Sequence, residues 1–235
     1  MRVWGVWTVQ SGLKRGQIKK IFLSGRRGKN PEILSILREA KEKGVAVEIV
    51  PDEEFRRRFS EARQGIVGEM KPMEEKRLED IVTDRPEWIV ALDHIEDPQN
   101  LGAIGRTCYA LGIEALLLPE RRQSGITPAV FQASAGYFSF LHIYRASNLR
   151  YTCQFLRKQG YWIVAVTPGV ASTVEEFTGH LPCCVIFGGE HKGISRVVMK
   201  EVDESLSIPI SEKVDSLNVS VAVGIALYAM KRKVR

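Results

Sequence analysis

From residue 87 onward, short apolar runs alternate with stretches whose apolar residues recur every three or four positions. Residues 88–92, 115–118, 138–144, 161–166, 183–187 and 206–210 read as strands, and helices fit at about 101–112, 148–159 and 217–232. Such alternation predicts a mostly parallel sheet covered on both faces. The first seventy residues read as a smaller α/β unit. A strand at 20–24 is followed by the glycine- and arginine-rich stretch 25–30, a loop suited to tracking phosphates. Pro31 then opens a helix with Ile33, Leu34, Leu37 and Ala40 at helical spacing, closed at Gly44, and 46–50 is a second strand. Between Lys71 and Glu87 the chain turns polar, with Pro72 and Pro86 at either end. The reading is therefore a first domain over 1–70, a linker over 71–86 able to hold a short helix at 73–82, and a second domain over 87–235.

Charge sharpens this division. Residues 1–70 hold 15 Lys and Arg against 9 Asp and Glu, whereas residues 71–235 hold 19 of each, so the whole net charge of +6 sits in the first third. A small module with that balance suits a polyanion such as nucleic acid, although a solvated basic surface without a partner has the same composition. No apolar run approaches the roughly 20 residues that cross a bilayer, and the start lacks the features of a signal peptide, so a cytoplasmic protein without a membrane partner is expected. Cys108, Cys153, Cys183 and Cys184 lack metal-ligand spacing; they read as small buried apolar residues, and neither zinc nor disulfides are expected. Nor do the four histidines share ligand spacing.

Ligands of open parallel sheets collect beyond the carboxyl ends of the strands, which directs attention to three polar segments. In the first, residues 93–106, the strand enters a polar loop; Leu101, Ile104, Cys108 and Leu111 then form one helical stripe, leaving Asn100 as a cap or a ligand contact and Arg106 off the stripe. The second, Gly188-Gly189-Glu190-His191-Lys192-Gly193, has the glycine spacing of a phosphate loop. It lacks the Lys-Ser/Thr that such a loop requires and carries a carboxylate instead, which argues against a nucleoside triphosphate. In the third, Ile208-Pro209-Ile210-Ser211 leads to Ser216, Leu217, Asn218 and Ser220, small polar groups crowding the start of the last helix, with Ser216 readable as a simple N-cap.

In order, Asn100-Leu101-Gly102 with Arg106, Gly188-Gly189-Glu190 with Gly193, and Ser216-Leu217-Asn218-Val219-Ser220 resemble the three motifs of the SpoU (TrmH-like) family of RNA ribose methyltransferases in the SPOUT superfamily. The front segment, through Gly5, Val9 and Gln64-Gly65-Ile66, resembles the L30e-like RNA-binding domain of that family; Arg63 stands where a histidine often precedes the Gln-Gly pair. The resemblance implies an α/β trefoil-knot catalytic domain, S-adenosylmethionine as cofactor, no metal, and a homodimer formed through the knotted region; Val221, Ile225 and Tyr228 share one face of the last helix, which either contributes to that dimer or packs on its own sheet. It implies methylation of a ribose 2′-hydroxyl in RNA, a guanosine of 23S ribosomal RNA being the favoured target and transfer RNA the alternative; a non-catalytic RNA binder on the same scaffold is the rival from another class.

By the same resemblance, Asn100, Arg106, Glu190, Ser216 and Asn218 surround the target ribose. Thr167, Gly188, Gly189, Ile208, Ile210 and Leu217 hold the methyl donor, with Pro168 and Gly169 as further wall; apart from the resemblance, the basic loop after the first strand offers Arg26, Arg27 and Lys29 as RNA contacts. A guanidinium with a pKa above about 12 is a costly base. Arg106 is therefore read as an electrostatic partner of the developing alkoxide, with Glu190 or a water taking the proton or orienting the arginine.

Overall fold

The computed structural model describes residues 1–27, 30–120, 124–189 and 192–234. Packing divides the chain into two units, Met1–Met73 with Ile126–Phe140, and Glu74–Gly125 with Leu141–Arg235.

The first unit begins β1 (Arg2–Trp4), α1 (Val6–Lys14), β2 (Ile18–Ser24), α2 (Pro31–Glu42), β3 (Ala46–Val50), α3 (Asp52–Arg58) and β4 (Ile66–Met70). Its sheet has the order β1-β4-β2-β3, with β2 and β3 parallel and the other pairs antiparallel. Period-two alternation divides the side chains between two faces. Phe22 and its cross-strand partner Val67 pack with Phe55 of α3 and with Phe59 just after it. On the other face Gly68 leaves space that Ile18, Val9 and Val3 fill under α1. Asn30 caps α2 by accepting from Glu32 N at 2.8 Å, and Pro31 sits at its first position. The core stripe of α2 is Ile33, Ile36 and Ala40; Leu34, expected inside, is exposed. The Gln64-Gly65-Ile66 element serves the open end of α1, because Gln64 Oε1 accepts the Val6 N–H at 2.7 Å.

The second unit opens with β5 (Glu75–Arg77) and α4 (Ile81–Asp84). The expected linker is thus partly built into structure, and its strand pairs in parallel with the edge of the second sheet. There follow β6 (Trp88–Asp93), α5 (Pro98–Ala110), β7 (Ala115–Pro119), then α6 (Pro128–Ala133), which packs with the first unit. The chain returns through β8 (His142–Ala146), α7 (Leu149–Lys158), β9 (Trp162–Val166), β10 (Cys183–Gly188), α8 (Arg196–Met199), β11 (Glu204–Leu206) and α9 (Val219–Lys233). The seven strands run β11-β9-β10-β6-β7-β8-β5, parallel throughout. All six residues of β6 are buried, as a strand covered on both faces requires. Ile89, Ala91, Leu117, Cys153, Leu156 and Ile186 share one core, while α5 packs on α9 elsewhere in the unit.

Two strands are shorter than their apolar runs suggest. Residues 137–140 form a 3-10 turn, because Gly136 takes a positive φ of 82° and Ser134 Oγ accepts the Phe138 N–H, so β8 starts only at His142. β11 ends at Leu206 because the Ser207 N–H turns to Ser172 O. All four cysteines are buried free thiols, and burial pushes Cys108, Cys153 and Cys183 up to about 12. No helix among the described residues is long and apolar enough to cross a membrane.

Candidate active site

The carboxyl ends of β6, β9 and β10 release their chains on one side of the second sheet, and the segment after β11 joins them. The β6 chain turns immediately: His94 adopts a left-handed conformation at φ 64°. Asp93, only 5% exposed at the strand end, accepts the Ser195 N–H at 2.9 Å through Oδ2. Its other oxygen lies 2.8 Å from His94 Nδ1, out of line for a hydrogen bond. One buried carboxylate thereby ties the start of the first motif to the exit of the second. Neither Asp93 nor His94 stands out in the sequence; the one signal is a charged residue ending a wholly apolar strand.

The second motif is a backbone crossing. Gly189 N donates to Asp93 O and Gly193 N to Gly189 O, each at 2.8 Å. A Cβ at Gly188 would stand 2.1 Å from Gly193 C and 2.3 Å from Ile194 N, and one at Gly189 would stand 2.2 Å from His94 O. Glycine is required here for approach of chain to chain.

Beside this crossing lies an open, mostly apolar cleft. Thr167, Gly188, Gly189, Ile208, Ile210 and Leu217, the six positions expected to hold the methyl donor, all line it, as do Pro168 and Ser216. Val219 of the third motif also lines it, as do Ile194 and Ala222, which nothing in the sequence marks. An apolar lining beside glycine backbone fits an adenosyl group: Ile208, Ile210 and Leu217 offer faces to a flat base, and the crossing offers close approach.

The five residues expected around the ribose are placed unequally. Asn100 is not the cap of α5; Asp97 is, accepting Gln99 N at 2.9 Å. Asn100 instead accepts from Asn218 Nδ2 at 2.9 Å, joining motifs 118 residues apart. Asn218, rather than Ser216, caps α9, its Oδ1 accepting Ser220 N at 3.0 Å and Ser220 Oγ at 2.6 Å. Asn100 also lines a neighbouring hollow with His94, Asp97 and Lys192, which shares Gly189 and Val219 with the cleft. Arg106 is exposed on α5, about 9 Å along the axis from Asn100, and lines neither hollow. Glu190 and Lys29 lie outside the described residues, and so does the side chain of Arg27. Arg26 is in the first unit, in the turn after β2.

Comparison with known proteins decides what this arrangement is. The SpoU rRNA methylase family matches residues 87–228, more than half of the chain, and the family described as RNA 2′-O ribose methyltransferase substrate binding matches residues 2–76. The chain belongs to the SpoU methylase family. Its 23S rRNA (guanosine-2′-O-)-methyltransferase relative from Coxiella burnetii, RlmB, is 31% identical over 238 residues, covering 98% of this chain and 95% of that one. An S-adenosylmethionine-bound rRNA methyltransferase structure from Sinorhizobium meliloti superposes with a TM-score of 0.83 at 24% identity, covering all of this chain and 87% of the other. The SpoU methyltransferase AviRb from Streptomyces viridochromogenes, also with the methyl donor bound, gives 0.82 at 19% identity, covering 99% and 90%. This SpoU methylase shares the α/β fold of those two structures, and the part matched by the methylase family is preceded by the small substrate-binding domain. It is an RNA 2′-O-ribose methyltransferase.

Proposed function

We propose that this SpoU methylase methylates the ribose of a guanosine in 23S ribosomal RNA, acting in the cytoplasm as a homodimer. The observation that carries the reading is the cleft in which all six expected donor-binding positions meet beside the Asn100–Asn218 pair. The target class rests on the Coxiella burnetii relative, which matches this chain over nearly the full length of both. S-adenosylmethionine supplies an electrophilic methyl group and a neutral leaving group when bound.

The chain's own residues supply alignment and proton handling. Backbone at Gly188, Gly189 and Leu217 fixes one reactant, and Asn100, Ser216 and Asn218 position the sugar beside it. Alignment of this kind contributes on the order of 7–11 kcal/mol. The hydroxyl is a weak nucleophile until its proton begins to leave. Glu190 or a water takes that proton, and Arg106 stabilises the negative charge developing on the oxygen. The first domain, residues 1–70, docks the RNA, with Arg26, Arg27 and Lys29 on its phosphates.

The dimer reading is supported by α9, where Val221, Ile225 and Tyr228, spaced i, i+4 and i+7, are 49%, 43% and 57% exposed. Incubating the protein with total RNA and methyl-labelled S-adenosylmethionine, then mapping the labelled ribose, tests the proposal. Label on one guanosine of large-subunit RNA supports it; label confined to transfer RNA transfers the function there, and absence of label sinks it.

A further inference from the structure

The first unit holds a hollow of about 530 Å³ that methyl transfer does not use. Phe55 and Phe59, both buried, form its floor, and three arginines, Arg26, Arg56 and Arg63, stand on its rim. Their partners differ in a telling way. Arg26 is held: its Nε lies 2.6 Å from Asp52 Oδ2, and its N–H donates to Oδ1 at 3.2 Å. Ser24 Oγ also donates to Asp52, so the one carboxylate of the lining is already occupied. Those donors, the Ser24 hydroxyl foremost, hold the Asp52 carboxyl below its ordinary range and keep it an anion that fixes Arg26.

Arg56 and Arg63 make no ion pair among the described residues. Arg58, two positions beyond Arg56, is by contrast paired with Glu48 and Glu54 at 3.0 Å each. The basic run is thus divided between an internal pairing and a cation facing the hollow. Three guanidinium groups against one carboxylate leave a surplus of two positive charges around a concavity, which concentrates the field inside it. Planar guanidinium forks match phosphate oxygens in pairs. The space far exceeds a lone phosphate. A continuous duplex keeps its bases stacked and cannot insert one, whereas single-stranded RNA can turn a nucleotide out and offer both base and phosphate.

We infer that this hollow is a pocket for one unpaired nucleotide of RNA, gripped at its internal phosphodiester by Arg56 and Arg63, with Arg26 locked in place by Asp52. The inference rests on the reading of the chain as an RNA ribose methyltransferase, and goes beyond it by naming the conformation of RNA that the front domain selects.

The test is fluorescence anisotropy of a labelled 12-nucleotide single-stranded oligouridine on the full chain between 50 and 200 mM KCl. Each single-strand phosphate contact contributes about −0.7 to the slope of log affinity against log salt. The double variant Arg56→Gln, Arg63→Gln removes both partners of that one phosphate and should therefore lose about 0.7 of slope and on the order of tenfold in affinity at low salt. Arg57→Gln, a neighbour outside the hollow, should match the parent, and circular dichroism should confirm that both variants fold. A 12-base-pair RNA duplex should show equal slopes for parent and double variant. Equal losses in Arg57→Gln and the double variant, or equal losses on duplex and single strand, overturn the pocket. So does a tenfold preference for a 5′-phosphorylated oligonucleotide, or displacement by millimolar inorganic phosphate, since either assigns the site to a free phosphate. Methyl transfer to total RNA, measured alongside, shows separately whether the underlying reading stands.

Discussion

Substituting Gly188 with alanine isolates the chain crossing from every side-chain effect. The new methyl carbon would lie 2.1, 2.3 and 2.5 Å from Gly193 C, Ile194 N and Gly193 O. Carbon contacts normally settle near 3.5–4.0 Å, so the overlap is about 1.5 Å. Relief by rotation is closed, because the obstacles are backbone, and that backbone is tied down. Gly193 N bonds Gly189 O, Gly189 N bonds Asp93 O, and Ser195 N bonds Asp93 Oδ2. Overpacking costs about 1–3 kcal/mol where neighbours adjust; with rigid neighbours the upper end applies, about 3 kcal/mol. Displacing the loop also moves the wall of the cleft, so affinity for S-adenosylmethionine should fall by about 100-fold, equivalent to some 2.7 kcal/mol. Gly193→Ala is the control: among the described residues its Cβ would meet nothing within 4 Å, and the cost expected is that of its φ of 59°, about 1–2 kcal/mol. Calorimetric titration with the donor, together with urea unfolding, measures both quantities. The reasoning fails if Gly188→Ala binds donor within threefold of the parent, or if Gly193→Ala proves the more damaging change.

Three further outcomes are expected. Asn218→Asp keeps the cap on Ser220 and so the stability of α9, but turns a donor toward Asn100 into a second acceptor; turnover should fall at least tenfold with the unfolding midpoint nearly unchanged, while Asn218→Ala should lose about 1 kcal/mol as well. The hydrogen bond from Arg150, helped by Gln154 and Arg157, outweighs burial and holds Glu201 below the ordinary carboxylate range. Because the folded value is the lower one, its stabilising contribution is present above the unfolded value of about 4.3 and is lost as pH falls through the folded one. Urea midpoints should drop more steeply below pH 5 for the parent than for Glu201→Gln, and parallel curves would refute this. Val221→Asp with Ile225→Asp should reduce the mass measured by sedimentation equilibrium to that of a single chain, whereas a parent that is itself monomeric at micromolar concentration contradicts the dimer reading.

The sequence is most legible where one period rules a long segment. The stripe Leu101, Ile104 and Cys108 announces α5, and the buried runs at β6 and β10 need little more than their lack of polar residues. Short elements escape. α3 has too few residues for periodicity, and its signal is charge, with Asp52, Glu53 and Glu54 at the start and Arg56, Arg57 and Arg58 at the end, matched to the helix dipole. Residues 137–140 mislead because an apolar run satisfies a buried turn as well as a strand. The candidate site is legible as three motifs, and the glycines of the second are recognisable as markers of close approach. What they approach is not: no local rule says that Gly188 meets Gly193 and Ile194, or that Asp93 holds Ser195, since those contacts depend on the return of the chain.

The cleft draws its wall from residues 166 to 222 and its neighbouring asparagine from residue 100. On a ribosome adding about 5–20 residues each second, the early motif is therefore made long before the partners that give it meaning. A nascent chain lacking its final stretch owns strands, a first helix and a glycine turn, yet has no cleft for the methyl donor it is proposed to bind. On the proposed function, competence arrives late and all at once, so a truncated product keeps the module proposed to dock RNA but is barred from modifying it.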